Sequence, residues 1–169
     1  MNKNIIKDKK EVEEFAIADL PEQEDRVVAV DRISRTVKGG RRIRFRALVV
    51  VGNRAGSVGI GVAKANDVQT AIAKAKNKAN KIKINVPIIN DSIAHEVSTV
   101  FGTTKVILKP APQGHSIIAG GSVRAVVELA GIKNIVSKSL GSSNPINSAT
   151  ATFLCLQQLI KSKYGSMKK

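Results

Sequence analysis

Aromatic residues and cysteines are scarce in this sequence. Its 169 residues include four Phe, one Tyr and no Trp, which argues against a surface that binds single strands by stacking bases on aromatic rings. Cys155 is the only cysteine. A single thiol cannot form an internal disulfide, so this residue does not point to an oxidising compartment. Because Cys155 lies among apolar residues, we predict an inert, buried thiol.

Acidic residues are rare after the first 25 positions, which hold eight of the 13 acids. The others are Asp31, Asp67, Asp91, Glu96 and Glu128. Carboxylates this scattered do not form the pairs that acid–base catalysis or a metal site needs, and neither histidine has a second ligand at a suitable spacing. The sequence therefore predicts a protein that is not an enzyme, with no catalytic residues, metal, cofactor or small-molecule substrate.

Long apolar runs are missing as well. No stretch reaches the ~18 consecutive apolar residues of a membrane-spanning helix. The first residues show neither a basic-then-apolar leader nor the acid-poor composition of a transit peptide. We expect a cytoplasmic protein without a membrane partner.

Positive charge is what the chain has in excess. The formal net charge is +15, and residues 26–169 hold 24 basic residues against five acidic ones. A surface this basic needs a polyanionic partner, and nucleic acid is the usual one. With few aromatic side chains to read bases, we expect recognition of phosphates and shape, as in structured RNA.

The first half of the chain predicts a small antiparallel sheet covered by one helix. The run "RVVAVDRISRT" predicts a first strand that begins near Arg26 and ends near Ser34. After the glycine pair at 39–40, which predicts a tight or mobile loop, the run "RIRFRALVV" alternates with a period of two. Arg42, Arg44 and Arg46 then share one strand face, and apolar residues share the other. The next run, "SVGIGVAKA", predicts the second strand of a hairpin, whose glycines would let an RNA backbone approach closely.

The helix after this hairpin is predicted over residues 67–82. One stripe of its residues recurs at the spacing of a buried helix face. The stripe consists of Val68, Ile72, Ala75, Ala79 and Ile82. Lys74 and Lys78 lie on the other side of the helix, so a basic helix face would accompany the basic strand face.

The second half of the chain predicts a mixed unit. Strands are predicted over residues 96–101, 105–109 and 134–139, with helices over 122–130 and from Asn144-Pro145 to about residue 160. We therefore expect four segments: an acidic flexible tail (1–25), an N-terminal domain (26–90), a C-terminal domain (91–162) and a basic tail (163–169).

Two glycine-rich stretches suggest nucleotide binding but depart from the motifs that bind nucleotides. In "GSVGIGVAK", Lys64 stands where a dinucleotide fingerprint has its third glycine. In "GHSIIAGGS", Gly121 stands where a Walker A motif has lysine. We interpret the second stretch as a turn that leads into a helix N-terminus, with a backbone nest for phosphate as an alternative.

Four segments, in order, resemble one known family. They are "RISRTVKGGRRIRFRALVVVGN", "GSVGIGVAKA", "SIIAGGSVRAVVELAGI" and "SLGSSNPIN". They closely resemble the bacterial-type small-subunit (30S) ribosomal protein S5 family across roughly residues 26–160. The resemblance implies an α+β fold with two small domains. The N-terminal one is similar to a double-stranded-RNA-binding domain, with a three-stranded antiparallel sheet and a helix. The C-terminal one is an α/β sandwich whose β-α-β crossover is left-handed, against the usual rule.

The same resemblance implies a structural role in the ribosome. Members of the family bind 16S-type rRNA beside proteins S4 and S8, lie near the path by which mRNA enters, and support translation, decoding accuracy and subunit assembly. The loop at residues 34–40 would reach rRNA. Taken together, charge and resemblance predict RNA contacts at Arg32, Ser34, Lys38, Gly39, Gly40, Arg41, Arg42, Arg44, Arg46, Arg54, Lys64, Lys74 and Lys78. By resemblance alone, Gly120, Gly121 and Arg124 lie near the S4 neighbour.

Two alternatives remain open from the residues alone. The chain could be a free-standing regulator that binds any duplex RNA, or a nucleotide-dependent enzyme that uses its glycine loops. The missing lysine and the scarce carboxylates argue against the enzyme.

Overall fold

The computed structural model describes residues 23–166, with side chains as far as residue 160. Most of the predicted acidic tail (1–25) and the last residues of the predicted basic tail lie outside the described residues. The first half folds as β1 (Glu24–Val37), β2 (Gly40–Gly52), β3 (Ser57–Ala65), α1 (Val68–Lys81) and β4 (Ile84–Asn85). The sheet is antiparallel in the order β1-β2-β3-β4. The prediction of three strands and a helix therefore missed β4, which is two residues long and pairs with the start of β3.

The first hairpin is longer than predicted. We expected β1 to end near Ser34, but its pairing with β2 continues to Val37 opposite Gly40. The predicted loop at residues 34–40 is thus reduced to a two-residue turn, Lys38-Gly39. Gly39 has φ +91°, a left-handed conformation that glycine adopts without steric cost. The turn that closes the hairpin therefore requires this glycine.

The second half folds into a sheet with two helices. Its elements are β5 (Val97–Phe101), β6 (Thr104–Pro110), β7 (Ile117–Ile118), α2 (Gly121–Ala130), β8 (Ile135–Gly141) and α3 (Pro145–Ser166). The strand order is β5-β6-β8-β7, with β7 parallel to β8, so α2 connects two parallel strands. The two-residue β7 was not predicted, and the handedness of the crossover stays a prediction.

The predicted start of the last helix is confirmed. The Asn144 side chain accepts a hydrogen bond from the backbone N–H of Ile146 at 3.1 Å, which satisfies one of the free donors of the first helical turn. Pro145 occupies the first helical position. The helix continues to Ser166, beyond the predicted end near residue 160. Cys155 on this helix is fully buried, as predicted, and burial raises the pKa of its thiol.

The two halves share one hydrophobic core. Leu48 and Val50 of β2 pack in the same cluster as Val126 of α2 and Leu156 of α3. A second, smaller cluster joins the other face of β2 to the alanines of α1. The first sheet is therefore covered on both faces over half its length. The prediction that the sheet is covered on one side only was wrong there, because the face that carries arginine up to Arg46 continues with buried Leu48 and Val50.

The glycines of β3 have a role other than the predicted one. A Cβ added at Gly59 would collide with the carbonyl oxygen of Ala79, and one at Gly61 with that of Ala75. Both glycines thus face α1 and let the helix lie close against the sheet. The idea that they admit an RNA backbone was wrong. The predicted buried stripe of α1 was partly wrong as well. Ala71, which the stripe did not include, is buried, and Ile82, which it did include, is 55% exposed.

The loop between β2 and β3 caps the C-terminal end of α2. The backbone N–H of Arg54 donates to the carbonyl of Leu129 at 3.0 Å, and that of Gly56 donates to Ala130 at 2.8 Å. These carbonyls belong to the last turn of α2, where carbonyl groups have no N–H donor within the helix. Close approach requires Gly131, since a Cβ there would collide with the carbonyl of Arg54. The two halves are thus joined by backbone hydrogen bonds as well as by the core.

Candidate nucleic-acid interface

The distal part of the first hairpin is strongly basic. Residues 32–45, which we call the basic arm, hold six basic residues and no acidic one. All six are exposed. They are Arg32, Arg35, Lys38, Arg41, Arg42 and Arg44. Pairing of β1 with β2 continues through the arm as far as Val37 and Gly40, so all of its charges except that of Lys38, which lies in the turn, are carried by paired strands.

Strand register places like charges opposite each other in the basic arm. Arg35 lies directly opposite Arg42, and Arg44 lies opposite uncharged Ile33. Like charges at directly opposed positions destabilise a strand pair. None of the six bases of the arm forms an ion pair with a described residue. The hairpin therefore concentrates positive charge that a bound anion would neutralise.

Two adjoining grooves continue the basic arm toward α1. The first has a volume of about 360 Å³ and is lined by Ile33, Ser34, Arg35, Val37, Arg42, Arg44 and Lys64. The second, of about 340 Å³, is lined by Arg44, Lys64, Ala65, Asn66, Asp67, Thr70 and Lys74. Because Arg44 and Lys64 line both, the grooves adjoin each other. We refer to the two together as the channel, which extends from the hairpin to the first turns of α1. Asp67, at the start of α1, is the only acidic residue in this lining.

The channel brings together five of the predicted RNA-binding residues. They are Ser34, Arg42, Arg44, Lys64 and Lys74. Lys38 and Gly39 form the turn at the tip of the basic arm, and Gly40 and Arg41 follow it. Arg32 lies opposite Phe45, on the face of the hairpin that leads toward α1. These residues flank the channel without lining it.

Three predicted RNA-binding residues have partners within the protein. Arg46 Nη2 lies 2.6 Å from an Asp31 carboxylate oxygen, and Arg54 Nη2 lies 2.7 Å from one of Glu24. Lys78 Nζ donates to the backbone carbonyl of Val62 at 3.2 Å. Because these cations are already engaged, they offer less free charge to an external anion than the channel residues do.

Arg35 is a channel residue that the sequence reasoning missed. It was placed in a loop because β1 was expected to end near Ser34. The alternation of Arg35 with Ile33 and Val37 was the signal that could have extended the strand. With β1 extended, Arg35 shares a face with Ile33 and lies beside Arg42.

The three residues predicted to meet a protein partner lie elsewhere. Gly120, Gly121 and Arg124 are exposed around the N-terminus of α2, and none of them lines the channel. The structure therefore separates this region from the basic arm.

Two features are absent from the part of the chain that the structure describes. No three His, Cys, Asp or Glu side chains lie together as a metal site would require. No described helix is long and apolar enough to cross a membrane.

Comparison with known protein families matches both halves of the chain. Residues 23–87 match the family model for the N-terminal domain of ribosomal protein S5. Residues 99–167 match the model for the C-terminal domain of the same protein. The two matches follow the chain order and cover all but its first residues, a short connecting segment and its end. The chain therefore belongs to the ribosomal protein S5 family, whose members are structural, non-enzymatic, rRNA-binding components of the small ribosomal subunit.

Proposed function

We propose that the basic arm and its channel form the surface by which this chain binds 16S-type rRNA. The observation that carries the proposal is the direct opposition of Arg35 and Arg42 in the basic arm, whose six bases have no ion-pair partner among the described residues. Because its own charges destabilise this strand pair, a bound anion would increase the stability of the pair. The phosphates of folded RNA supply such an anion at high density.

The residue types of the channel favour structured RNA over a single strand. Arginine presents a planar fork of donors that can hold a phosphate through two parallel hydrogen bonds. Phe45, the only aromatic residue of the arm, is half-buried and packs toward α1, so it is not free to stack on bases. Recognition through backbone phosphates and shape follows, as expected for double-stranded or compact RNA.

In the ribosome, we propose that the chain lies beside proteins S4 and S8 and near the path by which mRNA enters. Arg32, Lys38, Gly39 and Gly40 would reach rRNA from the tip of the arm, and Gly120, Gly121 and Arg124 would face S4. From these positions the chain would support subunit assembly and decoding accuracy. A cytoplasmic location agrees with a single buried thiol, which needs no oxidising compartment.

The association with the small subunit is tested by sucrose-gradient sedimentation of a lysate from the native host, at low and at high salt, with detection of this chain. We expect the full chain to remain with the small subunit through a salt wash. The double variant Arg42→Gln/Arg44→Gln should be released at lower salt. A matched double variant, Lys105→Gln/Lys138→Gln, removes the same charge from exposed positions of the second sheet and should behave as the unaltered chain.

A free-standing duplex-RNA regulator would give another result. It would sediment apart from the subunit, or leave it at modest salt, and would bind an unrelated RNA duplex as tightly as rRNA in competition. Either result would overturn the ribosomal role. Equal release of both double variants would overturn the assignment of the arm as the rRNA-binding surface.

A further inference from the structure

The basic arm has a free strand edge along β1. This strand lies at the end of its sheet and, among the described residues, pairs with β2 alone. Its distal part includes Ser34, Arg35 and Thr36, which are all exposed. An edge strand presents a row of backbone N–H and C=O groups without partners, and such an edge can accept a further strand. The arm therefore offers backbone hydrogen bonds as well as positive charge.

The same part of the arm also carries apolar side chains. Ile33 and Val37 are half-buried, and both line the channel together with Arg42 and Arg44. A phosphate would contact the arginines but would not cover the two apolar side chains. An extended peptide with acidic and apolar side chains would do both, because removing apolar surface from water is favourable.

Charge argues against a second arm as the occupant of this edge. Two copies of the chain that paired edge to edge would bring the six bases of each arm together, with no acidic residue in either arm. Like charges on neighbouring strands destabilise their pairing. The strand that fits this edge must therefore be acidic.

An acidic stretch precedes β1 in the same chain. Residues 11–22, "EVEEFAIADLPE", which we call the acidic segment, hold five acidic residues, no basic one and four large apolar ones. They lie outside the described residues, which begin at Gln23. The segment complements the arm in both respects, since it carries carboxylates for the arginines and apolar side chains for Ile33 and Val37.

The spacing along the chain allows the acidic segment to reach the arm. Residues 11–14 lie 10 to 13 positions before Glu24, where β1 begins, and Arg32 and Arg35 lie eight and 11 positions after it. Hairpin turns take about two to five residues. A chain that turned back near Pro21 and ran antiparallel to β1 would therefore bring the three glutamates of residues 11–14 level with these two arginines.

We propose that the acidic segment binds the free edge of β1 in the basic arm while no RNA is bound, and that rRNA displaces it. The inference rests on the proposed function, because it gives the rRNA-binding surface a competitor from within the chain. A segment that occupies the arm lowers the apparent affinity for RNA in proportion to the fraction of occupied molecules. It also covers an edge that could otherwise pair with other chains.

A spin label tests the contact in the full chain. The label is attached to a Val12→Cys variant, in which Cys155 is fully buried and does not compete for it. Broadening of backbone amide resonances is then measured by NMR at low salt. Without RNA we expect strong broadening at Ser34 and Thr36 and none at Lys105 in the second sheet. Addition of small-subunit rRNA should abolish the broadening.

Two matched double variants separate the position of the carboxylates from their number. Glu11→Gln/Glu13→Gln removes two of them at the level of the arm, whereas Asp19→Asn/Glu22→Gln removes two from the part of the segment next to β1. The first variant should show weaker broadening and bind rRNA more tightly, by about threefold or more. The second should behave as the unaltered chain. Equal effects of the two variants would overturn the proposal.

The outcomes distinguish failure of this inference from failure of the proposed function. If the arm shows no broadening although Arg42→Gln/Arg44→Gln still weakens rRNA binding, the inference is wrong and the rRNA surface stands. If the broadening persists in the rRNA complex, the segment does not compete, and both the inference and the assignment of the arm to rRNA are wrong. If spin-labelled chains broaden the arm of isotope-labelled chains mixed with them, the contact joins two copies, and the proposed contact within one chain is wrong.

Discussion

Arg26 on β1 and Glu128 on α2 form a two-pronged ion pair between the two halves of the chain. Nη1 lies 2.8 Å from Oε2, and Nη2 lies 3.2 Å from Oε1. The hydrogen bonds that Arg26 donates hold the pKa of Glu128 below its ordinary value, and the same bonds, which Glu128 accepts, raise the pKa of Arg26. The pair lies beside the shared core and the backbone hydrogen bonds of Arg54 and Gly56. It is therefore one of three kinds of contact that hold the halves together.

Replacing Glu128 by Gln should remove a stabilisation that depends on pH. Because the pKa of Glu128 is lower in the folded than in the unfolded chain, its contribution is present at neutral pH and is lost as the pH falls below about 5. Both side chains are partly exposed, so the loss at pH 7 should be at most about 1 kcal/mol. Urea unfolding from pH 7 to pH 3 measures it. The variant should be less stable at pH 7, and the difference should vanish at low pH.

Glu96→Gln is the matched control for this measurement, since Glu96 forms an ion pair with Lys109 within the second half alone, with both side chains more than half exposed. Its effect at pH 7 should be smaller than that of Glu128→Gln. A difference for Glu128→Gln that persists unchanged to pH 3 would contradict the role of the carboxylate charge.

The shared core predicts that the two halves unfold together. Leu48 of the first sheet and Leu129 of α2 are each 1% exposed and lie in one cluster, so unfolding either half would expose apolar surface of the other. Scanning calorimetry of the full chain should give one transition whose calorimetric and van't Hoff enthalpies agree. Two resolved transitions would mean that the halves are independent domains, as the division at residues 26–90 and 91–162 suggested.

How far the sequence predicts this structure is clearest at the glycines of β3. The period-two pattern correctly placed strands and showed that Gly59 and Gly61 share a face. The pattern did not show what covers that face. The strand is buried by a helix on one side and by the helices of the second sheet on the other, so neither face is polar and neither indicates contact with solvent. Arg46 indicated that the outer face of β2 is basic, yet two residues further along the strand the same face is buried in the core. The periodicity thus predicts which residues share a face of a strand, while the element that packs against that face depends on tertiary contacts.

Gly61→Ala tests this revised role. The added Cβ would collide with the carbonyl oxygen of Ala75, so α1 must move away from the sheet, at a cost of roughly 1–3 kcal/mol. Thermal unfolding should show the loss, while RNA affinity per folded molecule should stay unchanged. Gly121→Ala adds the same methyl group where nothing lies within 4 Å and should keep its stability. If Gly61→Ala were stable but bound RNA weakly, the glycine would face RNA after all.

Arg35→Glu should change stability and RNA binding in opposite directions. The new carboxylate would lie directly opposite Arg42, so a repulsive pair becomes an attractive one, which stabilises a strand pair by roughly 0.2–1 kcal/mol. At the same time it places negative charge in the channel. We expect a higher unfolding midpoint in urea and weaker binding of small-subunit rRNA in a filter assay.

The matched change Lys105→Glu places a carboxylate in the second sheet, opposite Val100 and Leu140. It should leave rRNA affinity close to that of the unaltered chain. A loss of affinity equal to that of Arg35→Glu would show that total charge, and not the position of Arg35, determines binding.

The number of phosphates met by the channel can be counted from the salt dependence of rRNA binding. Each phosphate contact on a duplex contributes roughly 0.9 to the slope of the logarithm of the affinity against the logarithm of salt concentration. Arg42→Gln, Arg44→Gln and Lys64→Gln should each reduce this slope by up to that amount. Arg46→Gln should reduce it less, because Asp31 already engages Arg46 at 2.6 Å. Equal reductions at Arg44 and Arg46 would mean that RNA displaces Asp31, and unchanged slopes throughout would exclude the channel as the phosphate-binding surface.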